Sequence, residues 1–374
     1  MLTGPVLLEL LKRRGFSFFA GVPCSCLTPL FNAVLADQEL RYVGAANEGD
    51  AVAMAAGAQL AGRPSVALFQ NSGLGNAVNP LTSLTHCFEI PVLLFPSLRG
   101  DPEGKPDEPQ HRLMGRITTG MLEQMEIGWE YLPTEPDQAA SAVERAVEQM
   151  AATSRPYALV IRPGSLAPQP LGERAVHKPL TPCALPPRPE PSSTRNEILR
   201  AVQSASFEDL VIATTGFTGR ELCALEDRPN QFPMVGSMGC ALSLGLGAAL
   251  CQPRRVIVLD GDGALLMRLG SLATAGFERP ANLVHLLLDN QIHESTGGQS
   301  TVTHSVDLAA MAAAAGYPRV LRCSSADEVA SFLSSRESGL TFLHVPVRPG
   351  VPAGLPRPDT QPAEVARRVR GFLA

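Results

Sequence analysis

Short apolar runs alternate with longer segments of helical periodicity through the first 164 residues. The runs predict strands at residues 18–23, 42–46, 65–69, 92–95 and 157–161. The intervening segments predict helices at residues 1–14, 27–36, 50–60, 76–87 and 137–153. Strands and helices that alternate in this way form a parallel sheet with helices on both faces.

The same alternation returns after Ser193, with predicted strands at residues 210–213, 256–260, 283–288 and 341–345 and a last helix at 363–372. Between the two halves, residues 165–192 contain eight prolines, a composition typical of a stiff, extended linker. The sequence therefore predicts an α/β protein with two doubly wound parallel-sheet domains. We expect these domains at residues 1–165 and 193–374, joined by a linker at 166–192.

The composition is that of a globular protein, because 45% of the 374 residues are hydrophobic and 18% are charged. A formal net charge of -5 with scattered basic residues excludes a nucleic-acid-binding surface. No apolar run is long enough to span a membrane, and the first helix, which ends at Lys12, Arg13 and Arg14, lacks a cleavage-like segment. We therefore expect a cytoplasmic protein without nucleic-acid or membrane partners.

The eight cysteines are spread singly through apolar surroundings, apart from Cys24 and Cys26. This pattern predicts reduced thiols, and a Cys-x-Cys pair without a second pair or a neighbouring histidine is a poor zinc site.

Two strand ends carry residues suited to a hard cation. Residues 255–260 form a β-branched run that ends at Gly261-Asp262-Gly263, and residues 283–288 lead to Asp289-Asn290. Ligands bind at the carboxyl ends of strands in open α/β sheets, and carboxylate, amide and carbonyl oxygens suit Mg²⁺. The alternative is a plain strand-to-helix turn, since Asp-Gly turns are common.

The Gly-Asp-Gly motif and the later Asn resemble the diphosphate-binding motif of the thiamine diphosphate-dependent enzymes. The resemblance implies thiamine diphosphate and Mg²⁺ as cofactors and two domains of the thiamine diphosphate-binding type, without the middle domain of the larger decarboxylases. It implies that Asp262, Asn290 and the main chain of Ile292 bind the metal against the cofactor diphosphate. Gly261 and Gly263 complete that cofactor site.

The upstream motif Asn47-Glu48-Gly49 matches the family's activating acid. The resemblance implies that Glu48 hydrogen-bonds the aminopyrimidine ring and so promotes loss of the thiazolium C2 proton, which requires a largely apolar pocket. The alternative is a carboxylate that only favours the helix dipole. Because the family's active site lies between subunits, the resemblance also implies a homodimer or a higher homo-oligomer.

Two further segments match the family's cofactor pocket. Val235-Gly236-Ser237-Met238-Gly239 matches the turn in which Met238, beside Ser237, wedges between the two cofactor rings; the alternative is a core methionine. Thr215 and Gly216 follow strand 210–213 at a helix start suited to a diphosphate, although capping by Thr218 explains that residue nearly as well.

Several segments together resemble the members of this family that decarboxylate 3-phosphonopyruvate, with the decarboxylases of sulfopyruvate as close relatives. They span residues 21–23, 47–50, 70–76, 99–111 and 293–299. The resemblance implies release of CO₂ and phosphonoacetaldehyde, in phosphonate natural-product or antibiotic synthesis. The alternatives are sulfopyruvate or another 2-keto acid as substrate. A nicotinamide enzyme is disfavoured because no Gly-x-Gly-x-x-Gly follows an early strand.

The substrate requires a group that binds a dianion, and a loop rich in Pro and Gly supplies basic candidates. We predict that the substrate site includes Ser25, Arg99, Lys105, His111, Ser295 and Thr296, with Arg112 as a further basic candidate and Asn71 in the cofactor pocket. Solvated loop charges are the alternative for each basic residue. Where the larger decarboxylases have an acid after Gly-Val-Pro, this chain has Cys24-Ser25, so proton delivery falls to His111 or Glu294.

Overall fold

The computed structural model describes residues 1–172, 178–180 and 185–374. The chain divides into two compact units, Met1–Val176 and His177–Ala374. Pro182 of the predicted linker lies outside the described residues. The linker prediction overlaps the first unit, because Leu166–Ala167 forms a short strand that pairs in parallel with Leu2–Thr3.

Unit 1 is built from strands and helices that alternate along the chain. Its strands are β1 (Leu2–Thr3), β2 (Phe18–Gly21), β3 (Arg41–Gly44), β4 (Ser65–Gln70), β5 (Leu93–Ser97), β6 (Gly128–Tyr131), β7 (Tyr157–Val160) and β8 (Leu166–Ala167). Its α-helices are α1 (Gly4–Arg13), α2 (Thr28–Ala36), α3 (Glu48–Leu60), α4 (Leu74–Pro80), α5 (Arg112–Gln124) and α6 (Pro136–Thr153).

Six of these strands form one parallel sheet in the order β3, β2, β4, β5, β7, β6. Strands β2, β5 and β7 are buried at every position, as expected for a parallel sheet that is covered on both faces. Helix α3 is almost entirely buried because it consists mainly of alanine, glycine and small apolar residues, which allow close packing on the sheet.

Unit 2 repeats this architecture. Its strands are β9 (Leu210–Ala213), β10 (Gln231–Pro233), β11 (Val256–Gly261), β12 (Leu283–Asp289), β13 (Ile292–His293), β14 (Gln299–Ser300), β15 (Arg319–Arg322) and β16 (Thr341–Pro346). Its α-helices are α7 (Arg195–Ala205), α8 (Phe217–Leu225), α9 (Ala241–Ala249), α10 (Asp262–Met267), α11 (Gly270–Glu278), α12 (Leu308–Ala314), α13 (Ala326–Ser335) and α14 (Pro362–Leu373).

The six-stranded parallel sheet of unit 2 has the order β10, β9, β11, β12, β16, β15. Its main strands are therefore connected in the same order as those of unit 1. The carboxyl ends of the neighbouring strands β9, β11 and β12 lead into the Thr215, Gly-Asp-Gly and Asn290 segments. The predicted α/β fold with two parallel sheets is confirmed.

The structure differs from the predicted helices at two places in unit 1. The predicted helix at 76–87 is an α-helix that ends at Pro80 and continues as a π-helix over Leu81–His86, because proline lacks the N–H that an α-helix needs. Sequence reasoning missed α5, which buries only Gly115, Thr118 and Leu122. No helix within the described residues combines the length and the apolar character needed to cross a membrane.

Candidate active site

Glu48 is the first residue of α3, at the carboxyl edge of the unit 1 sheet. Asn47 caps this helix by accepting a hydrogen bond from the Gly49 N–H at 2.9 Å. The Glu48 Oε2 atom accepts a hydrogen bond from Asn76 Nδ2 at 2.8 Å, whereas no partner is found for Oε1 among the described residues. A Cβ atom at Gly73 would lie 2.2 Å from Glu48 Cδ, so the missing side chain of Gly73 makes room for the carboxylate.

Asn71 lies at the end of β4 and is fully buried. Its Nδ2 donates to the Arg99 carbonyl and to Thr118 Oγ1, both at 3.0 Å, and its Oδ1 accepts from the Arg99 N–H at 3.0 Å. The whole amide is therefore engaged within unit 1. These bonds fasten β4 to the segment after β5 and to α5, and contact with a cofactor stays a prediction.

The structure brings Arg99 and Ser25 together, since Arg99 Nη1 donates to Ser25 Oγ at 3.2 Å. Arg99 also donates two hydrogen bonds of 2.7 Å to the carboxylate of Asp107. This pairing holds the pKa of Asp107 well below its usual range. Three of the five guanidinium N–H groups are thus used within the protein, so two remain for a ligand.

His111 is buried just before α5, whereas Lys105 and Arg112 are exposed. Two glycines allow this segment to pack closely: a Cβ atom at Gly100 would lie 2.1 Å from the His111 carbonyl oxygen, and one at Gly115 would lie 1.7 Å from the Gly100 oxygen. The position of the His111 backbone beside the segment that follows Arg99 is therefore fixed by tight packing.

The cysteine that replaces the family's acid lies in the same part of unit 1. Cys24 Sγ is 3.3 Å from Gln70 Oε1 and 3.2 Å from Ser97 Oγ. Its pKa is lowered to about 6, mainly by a hydrogen bond with the Cys26 side chain. The cysteines within the described residues are free thiols.

Unit 2 contains a cavity at the carboxyl edge of its sheet. It is lined by residues from six segments of the chain: Arg195, Thr214, Thr215, Gly216, Phe217, Thr218, Met238, Gly261, Asp262, Gly263, Ala264, Leu288, Asn290, Ile292, His293, Glu294, Ser295 and Val347. Most of the predicted residues of this unit are therefore brought together. Ser237 and Thr296 do not line the cavity.

Asp262 is the central acid of this cavity and is only 3% exposed. Its Oδ2 accepts hydrogen bonds from Thr301 Oγ1 at 2.6 Å and from Thr303 Oγ1 at 3.1 Å. Burial raises the pKa of Asp262, and no ion pair of this carboxylate is found among the described residues. A buried carboxylate without a cationic partner is suited to a bound cation.

Asn290 and Ile292 lie beside Asp262 in the cavity. Gln291, between them, has a φ of +64°, and this left-handed residue turns the chain sharply after β12. Asn290 Oδ1 accepts from the Ile292 N–H at 3.2 Å. No cluster of three or more His, Cys, Asp or Glu side chains suited to a metal occurs in the part of the chain that the structure describes. The predicted Mg²⁺ site would not form such a cluster, because it has a single carboxylate.

The start of α8 provides hydrogen-bond donors, which suit an anion, whereas Asp262 and Asn290 provide oxygen atoms that suit a cation. Gly216 is the N-cap residue, with a φ of +94° and no side-chain cap, so the alternative in which Thr218 caps this helix is wrong. The Thr214 hydroxyl is buried in the cavity wall without a hydrogen-bond partner in the described residues. Free helix N–H groups and an unpaired hydroxyl fit a diphosphate.

Met238 lines the cavity from a sharp turn, because its neighbours Ser237 and Gly239 have φ angles of +54° and +89°. His293 packs on the diphosphate motif: a Cβ atom at Gly263 would lie 2.5 Å from His293 Cε1. The residues present therefore fit both Mg²⁺ and thiamine diphosphate.

Sequence reasoning missed one charged group of the cavity. Arg195 is 6% exposed and donates from Nε and Nη2 to Glu221 Oε1 at 2.8 and 2.6 Å, and from Nη1 to Glu294 Oε2 at 2.8 Å. The Thr194–Glu197 capping box marks the start of this helix in the sequence. It gives no indication that the arginine after the cap is buried.

Comparison with family models identifies both units. Residues 1–117 match the model "Thiamine pyrophosphate enzyme, N-terminal TPP binding domain", and residues 220–345 match "Thiamine pyrophosphate enzyme, C-terminal TPP binding domain". A benzoylformate decarboxylase structure from Polynucleobacter necessarius aligns with this protein with a TM-score of 0.69 at 13% identity. The alignment covers 94% of this chain and 100% of that structure. This structural similarity supports the fold alone.

Curated proteins of closely similar sequence include two phosphonopyruvate decarboxylases. That of Streptomyces viridochromogenes is 46% identical over 96% of this chain and 92% of its own length. That of Streptomyces hygroscopicus is 45% identical over 100% of this chain and 94% of its own length. A sulfopyruvate decarboxylase from Methanosarcina acetivorans is 29% identical over 98% of this chain and 96% of its own length.

Proposed function

The chain belongs to the phosphonopyruvate decarboxylase family of thiamine pyrophosphate enzymes, and from this premise we propose that it decarboxylates 3-phosphonopyruvate to phosphonoacetaldehyde and CO₂. The observation that carries the proposal is the cavity in which Asp262, Asn290 and the start of α8 bring together groups suited to a cation and to a diphosphate. When bound, thiamine diphosphate supplies the electron sink that accepts the electrons of the breaking carbon–carbon bond.

Residues of unit 2 would hold the cofactor at its diphosphate end. Asp262, the Asn290 side chain and the Ile292 carbonyl would bind Mg²⁺, while Thr214 and the N–H groups after Gly216 would bind diphosphate oxygens. Met238 supplies an apolar surface in the same cavity. Each of these groups would complement one part of the bound cofactor: the metal ion, the diphosphate or an apolar ring.

Glu48 would act at the aminopyrimidine end. Its Oε2 is held by Asn76, which leaves Oε1 for a hydrogen bond to the cofactor. The Glu48 carboxyl would thereby hold a proton at the aminopyrimidine end of the bound cofactor, where it would favour ionisation of the cofactor.

The phosphonate of the substrate needs a cationic partner, and Arg99 is the best placed of the predicted basic residues. Its two remaining N–H groups and the Ser25 hydroxyl form a polar pair beside the end of β2. Lys105, Ser295 and Thr296 would add donors from two loops. A phosphonate carries more negative charge than a sulfonate, so charge-assisted donors at this place would stabilise phosphonopyruvate more than sulfopyruvate.

The direct test measures CO₂ and aldehyde release by the purified protein with thiamine diphosphate and Mg²⁺. We expect phosphonopyruvate to exceed sulfopyruvate and pyruvate in kcat/KM by at least about tenfold, equivalent to about 1.4 kcal/mol. A preference for sulfopyruvate would reassign the substrate within the same chemistry. Turnover of none of the three would refute the proposal.

His111 is our candidate for protonating the carbon that loses CO₂, because it is a buried histidine in the segment that carries Arg99. His111→Gln should lower kcat by about 10²-fold or more at saturating cofactor. His86→Gln is the matched control, since His86 is half-buried and pairs with Glu126 and Arg155 instead. Full turnover by His111→Gln would exclude His111 from this role.

We propose that the functional enzyme is at least a homodimer whose active sites each combine unit 1 of one subunit with unit 2 of another. Glu48→Gln and Asp262→Asn should each inactivate the enzyme when present in every subunit. Co-expressed, the two variants should regain about one quarter of wild-type activity, because half of the dimers are mixed and each mixed dimer has one intact site. No recovery in isolated mixed dimers would contradict this arrangement.

A further inference from the structure

A cluster of three charged residues that the proposed function does not use lies at the cavity of unit 2, and two of them, Arg195 and Glu294, line the cavity. Arg195, the first residue of α7, lies between Glu221 of α8 and Glu294 in the turn after β13. Glu221 is fully buried, and Arg195 donates two hydrogen bonds to its Oε1 atom. The remaining guanidinium group, Nη1, donates to Glu294 Oε2 at 2.8 Å.

Both carboxylate oxygens of Glu294 are occupied within the protein. Oε2 accepts from Arg195 and also from Asn290 Nδ2 at 3.2 Å, while Oε1 accepts from the Gly350 N–H. Gly350 is held from both sides, because its carbonyl accepts from Arg195 Nη2 at 3.3 Å. Glu294 is therefore fixed in one orientation by three donors from separate parts of the unit.

This arrangement determines which atom Asn290 can offer to a cation. A free asparagine amide can present either its oxygen or its nitrogen, and only the oxygen binds a metal. The bond from Nδ2 to Glu294, together with the bond that Oδ1 accepts from the Ile292 N–H, fixes the amide in one orientation. Contacts that orient a metal ligand in this way commonly change metal affinity by about 10- to 100-fold when they are removed.

We propose that Glu294 is a positioning residue that orients Asn290 for Mg²⁺, and that Arg195 positions Glu294. The inference rests on the proposed function for the identity of the metal site. It assigns Glu294 a different role from the proton donor expected from the sequence. The Arg195–Glu294 pair thus links α7 and the segment around Gly350 to the metal ligand.

The test measures Mg²⁺ affinity by calorimetry in the presence of thiamine diphosphate, together with kcat at saturating Mg²⁺. Glu294→Ala should weaken Mg²⁺ binding by about 10- to 100-fold, with kcat largely recovered at high Mg²⁺. Glu294→Gln retains an oxygen that can accept from Asn290, so it should have a smaller effect on affinity. Glu337→Ala is the matched control, because Glu337 pairs with Arg319 away from the cavity and should leave Mg²⁺ affinity unchanged.

Two results would overturn the proposal. Unchanged Mg²⁺ affinity in Glu294→Ala would show that Asn290 does not depend on Glu294. Turnover that falls by about 100-fold or more in Glu294→Gln, with normal Mg²⁺ affinity, would identify Glu294 as an acid in the reaction. Calorimetry requires no substrate, so an incorrect substrate assignment leaves this test readable.

The role of Arg195 is tested separately with Arg195→Lys, which keeps the charge but lacks the fork that contacts both glutamates. This variant should weaken Mg²⁺ binding in the wild-type background and have no further effect when combined with Glu294→Ala. Additive effects of the two substitutions would mean that Arg195 does not act through Glu294.

Discussion

Glu48→Gln should lower kcat by about 10²- to 10⁴-fold while leaving Mg²⁺ and thiamine diphosphate affinity close to wild type. Glutamine has nearly the same shape and can still accept from Asn76, so the side chain should keep its place next to Gly73. It has no carboxyl proton, which is the group that Glu48 would supply to the bound cofactor. The measurement is kcat with phosphonopyruvate at saturating cofactors, together with cofactor affinity by calorimetry.

Two alanine substitutions in the neighbouring segment provide a geometric control for Glu48. Gly73→Ala would place a methyl group 2.2 Å from Glu48 Cδ and displace the carboxylate, whereas a Cβ atom at Gly75 has no neighbour within 4 Å. We expect Gly73→Ala to reduce kcat strongly and Gly75→Ala to have little effect. If Glu48 served only the dipole of α3, Glu48→Gln would lower thermal stability and leave kcat near normal, which would refute the catalytic role.

Residues that follow a strand end could be predicted from the sequence, because a buried parallel strand fixes where the next side chain lies. Gly261-Asp262-Gly263 follows β11 and Asn290 follows β12, and the two strands are neighbours in the sheet. The same logic located Glu48 at the start of α3, after β3. Local sequence therefore sufficed for those parts of the site that depend on the sheet alone.

Contacts between distant segments could not be predicted, because nothing in the local pattern encodes them. Arg195 and Glu294 are 99 residues apart, and the threonines that bind Asp262 lie 39 and 41 residues after it. The position of Asn71 after a strand likewise gives no indication that its amide hydrogen-bonds Arg99 and Thr118. Side-chain partners depend on tertiary packing, which the hydrophobic pattern specifies only indirectly.

The same limit applies to short or marginal elements of the fold. Strand β6 is an edge strand with the sequence Gly-Trp-Glu-Tyr, and none of its residues is fully buried. It lacks the aliphatic run that identified the central strands, so its existence depends on pairing with β7. Tertiary context rather than strand propensity therefore decides this element.

Asp262→Asn should abolish the stabilisation of the protein by Mg²⁺ and thiamine diphosphate without destabilising the ligand-free protein. In the ligand-free state, burial raises the pKa of Asp262. Its contribution to stability is therefore present at low pH and is lost as the pH rises through the raised pKa, so at neutral pH the ionised carboxylate opposes folding. Asparagine has no charge, and its amide can still hydrogen-bond Thr301 and Thr303.

Thermal unfolding with and without cofactors measures this effect. Ligands at about 100 times their Kd stabilise a protein by about 2.7 kcal/mol, which corresponds to a rise in Tm of roughly 5–10 °C for a unit of this size. We expect the wild-type protein to show this rise and Asp262→Asn to show none. The ligand-free variant should unfold at or above the wild-type Tm at neutral pH, and its advantage should disappear as the pH falls and Asp262 of the wild type becomes protonated. If the variant retains the cofactor-induced rise, Asp262 is not a metal ligand. If the ligand-free variant instead loses much of its stability, the carboxylate stabilises the fold, and its two threonine partners compensate for its burial.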